Sequence, residues 1–175
     1  MSQVYKIDPS HSTASFSIKH MMIAKVRGGF DKISGQLTFD AAQPTKSQID
    51  VSIEAASINT HEPQRDAHLK SADFFDVEKF PVITFKSKQV QGAGESFKVI
   101  GDLTIHGVTQ TVTLDVEGPT AEHKDPWGNI KIGASATTQI KRKDFGLTWN
   151  AALEAGGFLV GDDVQITLDV QFVKQ

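Results

Sequence analysis

The feature that most constrains the fold of this chain is an alternation of apolar and polar residues that recurs along most of its length. Between residues 13 and 20, for example, Ala14, Phe16 and Ile18 share one face, followed by His20, while the intervening residues are polar. Side chains of an extended strand point alternately to its two sides, so this period of two predicts strands with one buried face. About eight such strands, separated by turn residues, predict an antiparallel all-β barrel or sandwich.

The predicted turns divide the alternating segments. The pair Gly28 and Gly29 suits a bend or bulge, residues 92–95 predict a hairpin loop, and residues 118–129 predict a long polar loop. A further loop or distorted edge is predicted from Asp144 past Trp149 to the pair Gly156 and Gly157. The apolar faces of the strands between these turns are predicted to share one interior.

One stretch, residues 60–85, lacks the strand pattern until its last residues, and it predicts a short helical or irregular crossover over about residues 62–80. It carries Phe74, Phe75 and Phe80, which are costly to leave in water. Two interpretations are open: these rings plug the end of an ordinary core, or they gate a ligand cavity.

An eight-stranded barrel lies at the boundary between a filled interior and one that holds a small ligand. Ala134 and Ala136 are small in the inward register of their strand, where a filled core would ask for larger side chains. His20 and Arg142 also fall in inward registers, where an unpaired polar group is costly. These residues favour a hollow barrel. The alternative is that His20 and Arg142 sit at strand ends and face solvent or a buried carboxylate.

Composition excludes several classes of protein. A length of 175 residues suits one domain over residues 1–175, and the 18 lysines and arginines nearly balance the 21 aspartates and glutamates without forming a run. That balance argues against nucleic acid or an acidic membrane surface as the main partner. The absence of cysteine excludes disulfides and thiolate chemistry.

No basic segment followed by an apolar stretch begins the chain, so a cytoplasmic location is expected, or a periplasmic one if a leader has been removed. No window approaches the roughly 18–20 apolar residues of a membrane-spanning helix.

The candidates for catalysis are weak. The six histidines include no pair at metal-binding helical spacing, and no nucleophile elbow or phosphate-binding glycine loop occurs. The densest polar cluster is Arg65, Asp66 and His68. An acid–base role can be written for it, but a structural role is preferred, with Asp66 at the start of the helix and Arg65 tied to nearby backbone or a carboxylate. The chain is therefore predicted not to be an enzyme and to require no metal or cofactor.

Several landmarks occur in a characteristic order. They are Asp8-Pro9-Ser10-His11-Ser12, His20, Gly28-Gly29-Phe30, Gly35, Phe39-Asp40, Ser57-Ile58-Asn59-Thr60, Arg65 to Ser71, Phe74-Phe75-Asp76, Phe80 to Phe85, Gly101 to Thr109 and Arg142 to Gly146. In this combination and spacing, the chain resembles the YceI-like family of lipid-binding proteins over nearly its whole length.

The resemblance implies an elongated, eight-stranded antiparallel barrel similar to lipocalins, with one helical crossover and a tubular interior that takes a long apolar molecule. Family ligands include polyisoprenoid quinones or their precursors and long-chain lipids and amides. Dimers also occur in the family, so a homodimer is an expectation here. Many relatives are exported, and the absence of a leader from this sequence is a departure from them.

Together, the pattern and the resemblance predict a ligand tail along an apolar interior, with His20 or Arg142 hydrogen-bonded to a head group. The predicted ligand-binding residues are Phe16, Ile18, His20, Phe39, Ile53, Phe74, Phe75, Phe85, Leu103, Ile105, Ala134, Ala136, Arg142, Phe145 and Trp149. Two rival hypotheses are a barrel-mouth enzyme that uses Arg65, Asp66 and His68, and a filled barrel that acts as a dimeric interaction module.

Overall fold

The computed structural model describes residues 2–151, 153 and 159–175, so the predicted loop at Gly156 and Gly157 lies outside the described residues. The strands are β1 Ser2–Ile7, β2 Thr13–His20, β3 Ala24–Phe30, β4 Ile33–Asp40, β5 Gln48–Glu54, β6 Ile58–Asn59, β7 Val82–Ala93, β8 Ser96–Ile105, β9 Val108–Glu117, β10 His123–Lys124, β11 Ile130–Lys141 and β12 Val160–Lys174. The helix α1 is Pro63–Lys70, and short 3₁₀ helices occupy Pro9–His11, Pro44–Lys46, Ala55–Ser57 and Arg142–Phe145.

The strands close into an eight-stranded antiparallel barrel, as predicted. The segments β1 and β2 are two halves of one bent strand, because β1 pairs with the end of β12 and β2 pairs with its beginning. In the same way β3 continues into β4, and β5 leads into β6. These three bent strands join β7, β8, β9, β11 and β12, and the pairing of β11 with both β9 and β12 closes the ring.

The two ends of the barrel differ. The end that holds α1, the β2–β3 turn and the beginning of β12 is called the upper end below. At this end β3 pairs with β6 only at Gly29 and Phe30, so β2 and β3 extend beyond the closed ring. The helix and the turns that follow it, residues 60–81, connect β6 to β7 and cover this opening.

The crossover is a short helix followed by turns, as predicted. The helix α1 begins at Pro63, where the side chain of Glu62 accepts hydrogen bonds from the backbone N–H groups of Gln64 and Arg65. It ends at Lys70, and turns occupy most of residues 71–79. Eight residues without a fully buried side chain make a helix that depends on its cap and on neighbouring contacts rather than on its own length. In the described part of the chain, no helix is long and apolar enough to cross a membrane.

Two local features were not predicted correctly. The strand β1 was missed, because apolar Val4 lies beside Tyr5 and Ile7, which face the core, and hides the alternation. The pair Gly28 and Gly29 lies within β3 rather than at a bend. A Cβ atom on Gly28 would come within 2.8 Å of the Phe16 ring and within 2.7 Å of Thr60, so the glycine permits close packing across strands.

The aspartate before the first 3₁₀ helix ties β1, β2 and β11 together. Asp8 accepts hydrogen bonds from the Ser10 backbone and hydroxyl at 3.0 and 2.7 Å, and its second oxygen lies 2.9 Å from Lys131 Nζ and 3.0 Å from His11 Nδ1. The pKa of the Asp8 carboxyl lies well below its usual range. The hydrogen bond from the Ser10 hydroxyl is the largest cause, and the one from Lys131 is the next.

A pH dependence follows from this depressed pKa. The carboxylate contributes stability above its ordinary pKa of about 3.9, and the contribution is lost as the pH falls below that value. We expect Asp8→Asn to be less stable than the parent at pH 7, and the difference to shrink from about pH 4 downward. Urea denaturation across pH 2–7 measures both curves, and a difference that stayed constant to pH 2 would contradict this role of Asp8.

Candidate functional site

The upper half of the barrel encloses an apolar cavity of about 270 Å³. Its wall is formed by inward residues of the strands, by α1 and the turns after it, and by the segment before β12. The lining residues are Ala14, Ser15, Phe16, Ile18, Lys19, His20, Val26, Phe30, Val51, Ile53, Arg65, His68, Leu69, Phe74, Phe75, Ile83, Thr84, Phe85, Leu103, Ile105, Val112, Leu114, Thr138, Ile140, Arg142, Leu147, Trp149, Leu159, Val160, Val164, Ile166 and Leu168.

A second cavity of about 100 Å³ lies in the lower half of the barrel. Its wall includes Phe39, Ala134 and Ala136, and none of its lining residues is charged. Four residues line both cavities: Val51, Phe85, Leu114 and Leu168. We call these four side chains the waist, since they lie between the two cavities.

The inward face of β12 runs past both cavities. Val160, Val164, Ile166 and Leu168 line the upper one, and Leu168, Val170 and Phe172 line the lower one. At about 3.3 Å per residue, the distance from Val160 to Phe172 is roughly 40 Å. The interior is therefore long, narrow and apolar.

The aromatic ring of the waist is set by a glycine on the next strand. Phe85 on β7 faces Leu103 on β8, and its ring also lies over Gly101. A Cβ atom on Gly101 would come within 2.6 Å of the Phe85 ring. Any side chain at position 101 would therefore push this ring away from β8, toward the neighbouring space in the barrel.

Aromatic side chains surround the upper cavity. The rings of His68, Phe74 and Trp149 form a mutually contacting group, with centroid separations of 4.8 to 5.3 Å. Phe30 stands between Phe16 and Phe75, 5.8 Å from each. The crossover thus contributes Phe74 and Phe75 to the cavity wall, whereas the Phe80 ring packs against His106.

Arg142 is buried, with 3 % of its surface exposed, in the 3₁₀ helix after β11. Its guanidinium donates to the backbone carbonyls of Leu147, Trp149, Gly161 and Val160 at 2.6, 2.8, 2.8 and 3.3 Å, and it lies 3.7 Å from an oxygen of Asp162. Burial lowers the pKa of the guanidinium. Because most of its donors are engaged, Arg142 joins the segment around Trp149 to the start of β12 rather than offering hydrogen bonds to a ligand.

The cluster of Arg65, Asp66 and His68 is held by structural contacts. Asp66 Oδ1 accepts from the backbone N–H and the hydroxyl of buried Thr60 at 2.9 and 2.5 Å. Arg65 donates to the same hydroxyl and to the Thr60 carbonyl, both at 2.8 Å. His68 lies 2.9 Å from Asp73, not beside Asp66. These contacts match the predicted structural role of Asp66 and Arg65.

The contact between Asp66 and Thr60 predicts a loss of stability when it is removed. Asp66→Ala leaves two donors of a buried residue without their acceptor, so we expect a loss of about 2 kcal/mol in the free energy of unfolding. Asp66→Asn retains one oxygen acceptor and should lose less. Chemical denaturation of both variants measures this, and an Asp66→Ala protein as stable as the parent would remove the structural explanation.

Most predicted site residues lie in the cavity walls. Phe16, Ile18, His20, Ile53, Phe74, Phe75, Phe85, Leu103, Ile105, Arg142 and Trp149 line the upper cavity, and Phe39, Ala134 and Ala136 line the lower one. Phe145 lies outside both walls: it is 1 % exposed and packs in the core cluster with Ile140 and Leu147. Phe145 belongs to the 3₁₀ helix Arg142–Phe145, which packs its side chain into this cluster instead of the cavity wall.

Of the four waist residues, the prediction included Phe85 and missed the other three. Val51, Leu114 and Leu168 belong to alternating runs on three different strands, and their inward direction is visible in the sequence. Their meeting at one level of the barrel depends on the register between strands. Among the described residues, no group of three or more histidine, aspartate or glutamate side chains could hold a metal ion.

The comparisons with known proteins agree with this architecture. Residues 5–172 match the model of the family described as the YceI-like domain. The chain belongs to the YceI-like family. A UPF0312 protein of Serratia proteamaculans is 37 % identical over 172 residues, which cover 97 % of this chain and 86 % of that protein. A UPF0312 protein of Staphylococcus aureus is 38 % identical to this chain, and the aligned residues cover 96 % of each protein.

Several solved structures share the barrel. BcnA of Burkholderia cenocepacia superposes with a TM-score of 0.80 at 26 % identity and covers 94 % of this chain and 98 % of its own. The YCEI protein of Campylobacter jejuni gives a TM-score of 0.73 at 34 % identity over 90 % of each chain. A polyisoprenoid binding domain from Saccharophagus degradans, with a TM-score of 0.70 and 17 % identity over 99 % of each chain, shares the fold.

Proposed function

We propose that this protein binds one long apolar molecule inside the barrel and performs no chemistry on it. The ligand class proposed is a polyisoprenoid quinone or its precursor, or a long-chain lipid or amide, held for transport, storage or sensing. The observation that carries the proposal is the apolar face of β12 from Val164 to Phe172, which lines the upper cavity, the waist and the lower cavity in turn. Together the two volumes reach the range of about 300–1,000 Å³ that ligand cavities have.

The chemistry of the wall favours a chain over a compact ligand. Each buried methylene contributes about 0.8 kcal/mol before ordering costs, so a chain that passes the waist gains affinity with length. The walls offer few hydrogen-bonding groups to distinguish one apolar chain from another. Selectivity should therefore follow length and shape.

The distribution of polar groups gives the ligand a direction. The charged or titratable residues of the walls, Lys19, His20, Arg65, His68 and Arg142, all line the upper cavity, while the lower one has none. His20 is half-buried and takes part in no side-chain hydrogen bond or ion pair with the described residues. These contacts support an arrangement with the ligand's tail in the lower cavity and its head group near His20. Arg142 is part of the protein scaffold in this arrangement.

The family relationship supports the ligand class. The Saccharophagus neighbour is described as a polyisoprenoid binding domain, and its fold matches nearly all of this chain. A filled barrel acting only as an interaction module would not need two adjacent apolar cavities. A homodimer remains compatible with ligand binding and is part of the proposal only as an expectation from the family.

Tryptophan fluorescence tests the proposal directly. The chain has two tryptophans: Trp149 lines the upper cavity, and Trp127 is 82 % exposed on the β10–β11 turn at the other end. In a Trp127→Phe protein stripped of lipid, a prenyl quinone should change the emission of Trp149 to saturation at one ligand per chain. Trp149→Phe, which reports only from Trp127, is the matched control. Absence of saturable binding in this titration and in equilibrium dialysis would refute the proposal.

A further inference from the structure

The turn between β2 and β3 exposes three consecutive apolar side chains at the upper end. Met21, Met22 and Ile23 are 46, 62 and 87 % exposed, and none of them lines either cavity. We call these three residues the tip. Three adjacent apolar residues held in water at the end of a hairpin are unfavourable unless a partner covers them.

The backbone of the tip adds to this cost. Met21 and Met22 have φ values of +53° and +61°, in the left-handed region that side chains with a Cβ atom enter at a cost. Hairpin turns with this geometry ordinarily use asparagine or glycine. The only described tertiary anchor of the turn's backbone is the Met21 N–H, which donates to the Leu159 carbonyl at 2.8 Å. Local folding preference therefore does not explain methionine at these positions.

Basic residues flank the tip. Lys19 on β2 lies opposite Lys25 on β3, and Arg27 follows two residues later; all three are exposed. Within the described part of the chain none of the three forms an ion pair, whereas the nearby acids Asp162 and Asp163 at the start of β12 already face Arg142, Lys143 and Lys141. Like charges opposite each other on paired strands destabilise a hairpin. The balanced charge of the whole chain hides this local excess.

We infer that the tip docks on an anionic lipid bilayer, with Met21, Met22 and Ile23 entering the headgroup region and Lys19, Lys25 and Arg27 contacting lipid phosphates. An anionic surface removes both local costs: it covers the apolar side chains and neutralises the lysine pair. Lysines on an edge strand also guard against strand pairing, but that role accounts for the charges and not for the apolar residues between them.

The tip is continuous with the upper cavity. Lys19, His20 and Val26, which flank the tip on both strands, line the cavity wall, and so do Leu159 and Val160 beside it. A bilayer in contact with the tip would therefore lie against the upper end of the barrel. If the proposed function holds, docking places the upper end of the barrel, where the ligand enters, next to the membrane that supplies the ligand. The docking itself does not depend on the ligand.

Flotation with ligand-free vesicles tests the inference. The protein should float with phosphatidylcholine vesicles that contain phosphatidylglycerol and not with phosphatidylcholine alone, and added salt should weaken the binding. Met21→Ser/Met22→Ser/Ile23→Ser should lower the bound fraction on anionic vesicles at least about tenfold. Lys25→Glu/Arg27→Glu should abolish the preference for anionic vesicles.

The control changes one basic and one apolar residue in the same way at the opposite end, in Lys124→Glu/Trp127→Ser, and this variant should bind vesicles like the parent. All variants are compared by circular dichroism and thermal unfolding, and the tip variants should keep the Trp149 titration with a prenyl quinone. A parent protein that ignores anionic vesicles, or a tip variant that binds them equally, would overturn the inference. So would a tip variant that converts a dimer to a monomer without any vesicle binding by the parent, since the tip would then contact a second copy.

Discussion

The variant Ala136→Phe should lose affinity for long ligands while keeping affinity for short ones. Ala136 lines the lower cavity. Across the sheet it pairs with Val116 on one side and with the waist residue Leu168 on the other. A phenyl ring at this position fills much of a space of about 100 Å³ and stops a chain near the waist. Excluding about four methylenes from burial costs about 3 kcal/mol, which corresponds to a loss of roughly 100-fold in affinity.

A series of prenyl alcohols of increasing length measures this effect. For the parent, affinity should rise with each isoprene unit until the chain fills both cavities; for Ala136→Phe it should level off earlier. Thr137→Phe adds the same ring to the adjacent, exposed position of β11 and serves as the control. An unchanged length profile in Ala136→Phe would mean that the ligand does not pass the waist.

The largest loss of stability is expected from Arg142→Ala. Its guanidinium serves four backbone carbonyls from two separate segments, and removal of the side chain leaves these acceptors without their buried donor and removes the ion pair with Asp162. Truncating one side of a buried charged network costs about 3–5 kcal/mol. We expect a loss of this size in the free energy of unfolding, together with faster proteolysis around Trp149.

Arg142→Lys separates charge from geometry. A lysine retains the positive charge but cannot place donors on four carbonyls at once, so most of the loss should persist. Lys143→Ala, at the exposed neighbouring position paired with Asp162, is the control and should cost less than about 1 kcal/mol. If Arg142→Ala instead unfolds like the parent and fails only in ligand binding, Arg142 contacts the ligand and its structural role is wrong.

The barrel could be predicted from the sequence because its signal is local. A shift of one residue in any long strand would turn its apolar face outward, so the alternation in β5, β9 and β12 fixes which side chains face inward. That property made most of the cavity wall predictable. It also explains why Ala134 and Ala136 could be recognised as small inward residues before the structure was known.

The parts that escaped prediction depend on contacts distant in the sequence. Position 28 within β3 requires glycine because Phe16 and Thr60 approach it, and nothing beside it in the sequence indicates this. Arg142 is held by carbonyls up to 19 residues away, and its register on a strand gave no sign of these backbone contacts. The waist likewise exists only once the strands are aligned.

Native mass spectrometry of the purified protein, followed by organic extraction and mass analysis of what is released, tests ligand binding most directly. We predict a complex of one chain with one long-chain molecule, with a released mass that matches a prenyl quinone, a prenyl phenol or a long-chain lipid. The Ala136→Phe protein should release shorter species. A protein that is free of ligand, and that remains so after incubation with such lipids, would contradict the account.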